Sequence, residues 1–103
     1  MLIKEAARLF REAGPVNDFE LQGGVVGLAR SEGASIGRVT VAGFIEGRAR
    51  KVLIDLLEPD YTTAIRAHEE EAIILCTGEL VKEGRSFRLQ NPRRFRMLAD
   101  NEA

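Results

Sequence analysis

The sequence predicts a mainly β fold: a small five-stranded barrel with one helix inserted between the third and the fourth strand. Two observations lead to this fold class. Three strand-like runs follow one another after residue 18, and two more occupy the later part of the chain. The only short helical pattern of this region lies between the third and the fourth run, where a helix can close one end of a barrel.

Residues 2–13, ahead of the barrel, show the pattern of an amphipathic helix. Its apolar positions recur at steps of three and four residues, and they are Leu2, Ile3, Ala6, Leu9, Phe10 and Ala13. Gly14 and Pro15 end this helix, because proline cannot donate the next helical hydrogen bond. The apolar face of this helix needs a packing partner, and the sequence allows three: the barrel, the rest of a longer protein or a second copy of the chain.

The first strand-like run, residues 19–30, is long and interrupted by glycines. Phe19, Leu21 and Val25 alternate with polar or small residues, as in a half-buried strand. The glycines weaken a flat strand but allow the coiling or bulge that a closing sheet requires; they are Gly23, Gly24 and Gly27. A loop over residues 31–37 follows.

The second and third runs, residues 38–45 and 48–57, are predicted to form a hairpin. Only Glu46 and Gly47 separate them, which is the length and composition of a tight turn. Apolar residues fall on both faces of the third run, so we expect part of it to be covered on both sides. One face carries Val52, Ile54 and Leu56, and the other carries Leu53 and Leu57.

The helix between the third and fourth runs is predicted over residues 58–71. Pro59 and Asp60 suit its first turn, since proline tolerates that position and an aspartate there meets the positive end of the helix dipole. Its short apolar face is expected to pack beneath the barrel, and the face comprises Tyr61, Ala64, Ile65 and His68.

The fourth and fifth runs are residues 72–81 and 86–91, joined by a turn at residues 82–85. Proline cannot donate to a strand ladder, so Pro92 is expected to end the fifth strand. Residues 93–98 are then expected to add a last short element to the barrel.

Composition limits the class of protein. The 103 residues support one domain, with 45% hydrophobic residues, 30% charged residues and a net charge of -1, so no global excess of positive charge draws the chain to nucleic acid. We divide the chain into an N-terminal helix (1–15), a barrel domain (16–98) and a frayed tail (99–103). Charge is unevenly distributed: residues 55–71 are acidic, whereas residues 30–51 and 82–96 are basic.

The sequence predicts a cytoplasmic protein without a membrane span. No apolar run is long enough to cross a bilayer, and the N-terminus lacks the basic-then-apolar order of a signal peptide. The single cysteine, Cys76, cannot form an internal disulfide, which fits a reducing compartment.

The order of three strands, a helix and two strands resembles the OB-fold superfamily, a five-stranded Greek-key barrel, from Phe19 to Leu98. The long glycine-broken first strand and the strand–glycine–strand segment LCTGELVKEGRSFRL, residues 75–89, add to this likeness. The resemblance implies a binding face for oligonucleotides or oligosaccharides across the second and third strands, between the first and the last loop. The residues placed on this face or in its loops are Arg30, Arg38, Phe44, Arg48, Arg50, Lys51, Lys82 and Arg85.

The cations of this set are suited to phosphate contacts, and Phe44 is suited to stacking on a base. The other aromatic residues occupy positions whose spacing indicates burial, and they are Phe10, Phe19, Tyr61, Phe87 and Phe95. With so few aromatic groups, we expect weak, salt-sensitive contact with single-stranded DNA or RNA rather than tight, sequence-specific binding.

No pattern for catalysis, a metal or a cofactor is present, so we expect a non-enzyme. His68 is the only histidine and is expected to be packed or hydrogen-bonded, and Cys76 is expected to lie in the core. Residues 22–27 lack the spacing and the lysine of a phosphate-binding loop.

Two functions remain open. The first is a non-catalytic OB-like binding module that contacts the backbone of single-stranded nucleic acid. The second is a structural or protein-interaction domain of a larger protein or a homo-oligomer, with residues 2–13 as the contact and no nucleic acid involved.

Overall fold

In the computed structural model, which describes residues 15–98, five strands close into a barrel and one helix lies between the third and the fourth strand. The elements are β1 (Val16–Ala29), β2 (Gly37–Ile45), β3 (Arg48–Leu56), α1 (Asp60–Glu70), β4 (Ile73–Glu83) and β5 (Ser86–Met97). This confirms the mainly β barrel with a helix in that place. The predicted N-terminal helix (1–15) and tail (99–103) lie outside the described residues.

The strands follow the order β1-β2-β3-β5-β4, and β4 pairs with β1 to close the barrel. All neighbours are antiparallel except β3 and β5, which run parallel. This arrangement is consistent with an OB-like fold.

The predicted hairpin between β2 and β3 is confirmed. Ile45 pairs with Arg48 across the two-residue turn, and both Glu46 and Gly47 have positive φ, at 55° and 79°. Such a turn matches the right-handed twist of the flanking strands. The register of the whole hairpin is therefore set at this turn.

Alternate residues of the strands fill the barrel. In β3 the side chains of Val52, Ile54 and Leu56 are buried, as predicted. The prediction that the other face of this strand is covered as well is wrong at Leu57, which lies beyond β3 and is 58% exposed. The reason is that α1 closes one end of the barrel and does not cover its outer face; Leu53 is half-buried.

The helix α1 is anchored under β2 by an aromatic ring. Tyr61, Ala64 and Ala67 are buried, and the Tyr61 ring occupies the space that a Cβ at Gly37 would need. We call this closed end, with α1 and the loop 30–36, the helix end. The opposite, hairpin end carries the turns at residues 46–47 and 84–85.

The fifth strand does not stop at Pro92, so that prediction is wrong. Instead β5 continues to Met97 and includes the residues expected to form a separate short element. Its register with β4 shifts between Thr77 and Glu79, and Asn91 and Arg94 adopt positive φ on the β5 side. Pro92 has no N–H group to donate to the strand ladder, and a strand can include proline at such an irregular position.

Candidate binding face

The strand register shows which predicted site residues share the outer face of the barrel. Cross-strand pairs lie on one face, and the outward pairs of β2 and β3 include Arg38 with Asp55, Ala42 with Lys51 and Phe44 with Ala49. The intervening pairs point inward, as the burial of Val39, Val41, Val52 and Ile54 shows. Arg88 of β5 joins the same outer face, because it pairs with Leu53.

Two shallow grooves cross this face and share Arg38 and Asp55. The groove towards the helix end has a volume of about 450 Å³ and is also lined by Arg30, Ser31 and Ile36. The other has a volume of about 600 Å³ and extends over β5; its further lining includes Glu83, Arg88 and Asn91. The grooves therefore span the region between the first loop and the β4–β5 turn.

The cations at the centre of the grooves are engaged in ion pairs. Arg38 Nε donates to Asp55 Oδ1 at 3.0 Å, and Arg88 Nη1 donates to Asp55 Oδ2 at 3.0 Å. Arg88 Nε also lies 3.3 Å from Glu83 Oε1. The hydrogen bond and charge of Asp55 raise the pKa of Arg38 above its usual value. The centre of the face is thus polar but locally neutralised.

Arg30 belongs to a contact that joins the first loop to the start of α1. Its Nη1 lies 2.8 Å from Glu58 Oε2, and its guanidinium carbon lies 4.7 Å from the centroid of the Tyr61 ring. Hydrogen bonds from Thr62, and then the bond from Arg30, lower the pKa of Glu58. This predicted binding residue therefore has a partner within the fold.

Phe44 lies at the hairpin end of β2, and 71% of its surface is exposed. Lys51 shares its face, whereas Arg48 and Arg50 lie on the opposite face of the hairpin, because they pair with the buried Ile45 and Gly43. Among the described residues, none of these three cations makes an ion pair. The hairpin end thus carries three cations without an ion pair among residues 15–98, with Lys51 on the face of Phe44 and Arg48 and Arg50 on the opposite face.

The β4–β5 turn brings further cations to the same end. Arg85 is exposed and makes no ion pair within residues 15–98. The strands β3 and β5 run parallel, with Val52 opposite Phe87. Arg85 comes before Phe87 as Arg50 comes before Val52, so both arginines lie towards the hairpin end of the barrel. Lys82 Nζ lies 5.1 Å from the centroid of the Phe87 ring. The predicted cations consequently divide into two groups: Arg30 and Arg38 in the grooves form ion pairs, whereas those at the hairpin end form none among residues 15–98.

Sequence reasoning missed Arg88 and Asp55 as members of this face. The alternation of Phe87 and Leu89 with Arg88 indicates that Arg88 points outward, and that signal was available. The partnership of Arg88 with Asp55, 33 residues away, depends on the parallel β3–β5 register. That register cannot be read from the spacing of residues.

His68 and Cys76 have structural partners. The Val25 carbonyl can only accept a hydrogen bond, so His68 Nδ1, 2.9 Å away, is the donor. This bond ties α1 to the irregular part of β1. The predicted core position of Cys76 is confirmed, because the residue is 1% exposed, and burial raises the pKa of its thiol to about 11.

A second charged cluster joins β1, β4 and β5 at their irregular positions. Arg93 lies 2.8 Å from an Asp18 oxygen and 3.1 Å from a Glu79 oxygen, and Asn91 Nδ2 donates to Glu79 Oε1 at 2.8 Å. The bond from Asn91, followed by that from Arg93, lowers the pKa of Glu79. The cluster therefore stabilises the barrel as long as Glu79 is ionised.

We expect the Glu79→Gln variant to lose less stability on acidification than the wild type. The folded-state pKa of Glu79 is lowered, so its contribution is present above the unfolded value near 4.5 and is lost as pH falls through the folded value. Thermal melts from pH 7 to pH 3 measure this difference. Glu69→Gln, at an exposed helix position without an ion pair among the described residues, is the control. Parallel curves for the wild type and Glu79→Gln would contradict the expectation.

The described residues thus define a class: a closed β-barrel with a helix at one end and a charged, grooved outer face. Comparison of the chain with protein-family models, curated proteins and solved structures finds no significant match. Over residues 15–98, no helix is long and apolar enough to cross a membrane. In the same range, no three His, Cys, Asp or Glu side chains are grouped to hold a metal ion.

Proposed function

We propose that this chain is a non-catalytic, OB-like binding module that contacts single-stranded nucleic acid weakly through its hairpin end. Three features support the OB-like assignment: the strand order, the parallel β3–β5 pair and the position of α1 between β3 and β4. Binding modules of this architecture use the outer face of the second and third strands.

The observation that carries the proposal is the exposure of Phe44 on the face of Lys51, at the end of the hairpin where Arg48 and Arg50 also have no ion pair among the described residues. An aromatic ring that is 71% exposed on a strand offers a flat apolar surface to an unpaired base. Lys51 shares the face of Phe44. The neighbours of Phe44 on this face include Ala42 and Ala49, whose small side chains leave the ring accessible. Stacking requires an unpaired base, so the arrangement favours single strands over duplexes.

The charge distribution supports contact with the nucleic acid backbone rather than with base edges. Arg48, Arg50, Lys51 and Arg85 have no ion pairs among the described residues and gather at the hairpin end. Such cations neutralise phosphates and release counterions, which makes binding weak at physiological salt and stronger at low salt. Within residues 15–98 one aromatic ring, Phe44, is largely exposed, which supplies too few stacked bases for tight binding.

The Phe44→Ala variant tests the proposal. A fluorescein-labelled single-stranded DNA or RNA of about 12 nucleotides is titrated with protein at about 50 mM salt and followed by fluorescence anisotropy. The wild type is expected to bind, and Phe44→Ala to bind about tenfold more weakly, because one base–aromatic stack is lost. Leu57→Ala, which removes another exposed apolar side chain away from the hairpin, is expected to match the wild type. Absence of wild-type binding at high micromolar protein overturns the proposal.

A second candidate function is protein interaction, and an exposed apolar area supports it. Val26, Phe44 and Ile73 are each at least 41% exposed. Gly24 pairs with Ala42 on one side and Ile73 on the other, and no atom lies within 4 Å of a Cβ built there, so the surface above Gly24 is open. If a second copy covers this area, light scattering detects a dimer in the wild type that Phe44→Ala weakens. A strict monomer at high concentration argues against self-association.

A further inference from the structure

Asp55 occupies the crossing point of the two grooves on the outer face. It lines both of them, together with Arg38. Any extended ligand that runs from the first loop towards the β4–β5 turn must pass over this carboxylate. Its side chain is 40% exposed, so it lies at the surface of the groove and not beneath it.

The two oxygens of Asp55 hold two different arginines. Oδ1 accepts from Arg38 Nε, and Oδ2 accepts from Arg88 Nη1, each at 3.0 Å. A phosphodiester also presents two anionic oxygens from one centre, and arginine donates to them in the same way. The Asp55 carboxylate therefore offers Arg38 and Arg88 the same kind of two-oxygen contact that a backbone phosphate offers.

The local charge balance follows from this contact. Three arginines line the grooves, namely Arg30, Arg38 and Arg88, and each is paired with a carboxylate of Glu58, Asp55 or Glu83. At the hairpin end, in contrast, Arg48, Arg50, Lys51 and Arg85 have no carboxylate partner within residues 15–98. A polyanion consequently meets free positive charge at one end of the face and compensated charge at its centre.

We infer that Asp55 is a specificity-determining residue that competes with phosphate for Arg38 and Arg88, and so confines a single strand to the hairpin end. This inference rests on the proposed function, which it deepens. Loss of the Asp55 charge frees both arginines towards the groove and lengthens the contact from the hairpin end across β2, β3 and β5. Arg88 keeps its weaker contact with Glu83, so Arg38 gains the most freedom.

The test compares the wild type with Asp55→Asn in the anisotropy titration, over a series of salt concentrations. Asp55→Asn is expected to bind single strands about tenfold more tightly at low salt. The slope of log affinity against log salt is expected to steepen by about 0.7–1.4, for one or two added phosphate contacts. Glu69→Gln is the charge-matched control on α1 and is expected to leave affinity unchanged.

Two further variants keep the inference testable if Asp55→Asn alters stability. Glu83→Gln removes the second partner of Arg88 and is expected to raise affinity by a smaller factor. Adding Arg38→Gln and Arg88→Gln to Asp55→Asn is expected to abolish the gain, because the freed guanidinium groups are its source. Thermal melts of each protein show whether it is folded at the temperature of the titration.

The results of these titrations distinguish the role of Asp55 from the proposed function. If the wild type binds and Asp55→Asn gains no more than Glu69→Gln, the role of Asp55 is overturned and the proposed function stands. If only Asp55→Asn binds, the wild-type function is overturned while the blocking role of Asp55 is supported. If neither protein binds, both are overturned.

Discussion

Replacing Gly23 with alanine is expected to destabilise the barrel by about 3 kcal/mol, whereas the same change at the adjacent Gly24 leaves stability unchanged or slightly raised. A Cβ at Gly23 would collide with the Ala42 carbonyl oxygen, would lie 2.8 Å from the Ala42 carbonyl carbon and would lie 3.0 Å from Val41 Cγ1. Most of these atoms belong to the backbone of the paired strand β2, which cannot move without disrupting the β1–β2 ladder.

Gly24 provides a matched control in the same strand. No atom lies within 4 Å of a Cβ built there. Both substitutions restrict the unfolded chain equally, an effect that alone stabilises by roughly 0.4–1 kcal/mol. The difference between the two variants therefore isolates the steric collision at Gly23. Urea unfolding or thermal melts measure it, and a loss of about 3 kcal/mol corresponds to a fall in Tm of roughly 15 °C. Equal stability of the two variants would show that β1 and β2 are not paired in this register.

The second large effect is expected at the hairpin end. The triple variant Arg48→Gln, Arg50→Gln and Lys51→Gln should bind single strands roughly 100-fold more weakly at low salt, because it removes up to three phosphate contacts. The salt slope should fall by about 2. None of the three side chains has an ion pair within the described range, so their removal should leave the thermal stability unchanged.

A charge-matched control separates local contact from net charge. Arg66→Gln, Arg94→Gln and Arg96→Gln together remove the same charge from exposed positions on α1 and the far half of β5. This control should retain most of the affinity. Equal weakening of both triple variants would indicate that net charge alone governs binding and that the hairpin end is not the site.

Local patterns in the sequence were sufficient for most of the fold. The spacing of Val52, Ile54 and Leu56 predicted the inner face of β3, and Glu46-Gly47 predicted the hairpin, because both depend on neighbouring residues alone. The end of β5 was missed because tolerance of Pro92 depends on a register shift against β4. That shift is a property of the pair of strands and not of either sequence.

The candidate site was predictable only in part for the same reason. Alternation along β2 places Phe44 on the outer face, yet its exposure depends on whether another element covers that face. The neutralisation of Arg38 by Asp55 follows from a pairing 17 residues apart, and that of Arg30 by Glu58 from one 28 residues apart. The sequence therefore identifies the candidate cations, but the fold determines which of them form ion pairs with carboxylates among the described residues.

The burial of Cys76 makes the natural chain a ready background for spectroscopic labelling. It is the only cysteine, it is 1% exposed, and with a thiol pKa of about 11 very little reactive thiolate exists at neutral pH. A cysteine introduced at the exposed Ala49, opposite Phe44, would then be the single site for a dye or nitroxide. Such a probe reports directly on whatever approaches the aromatic ring, without prior removal of a native thiol.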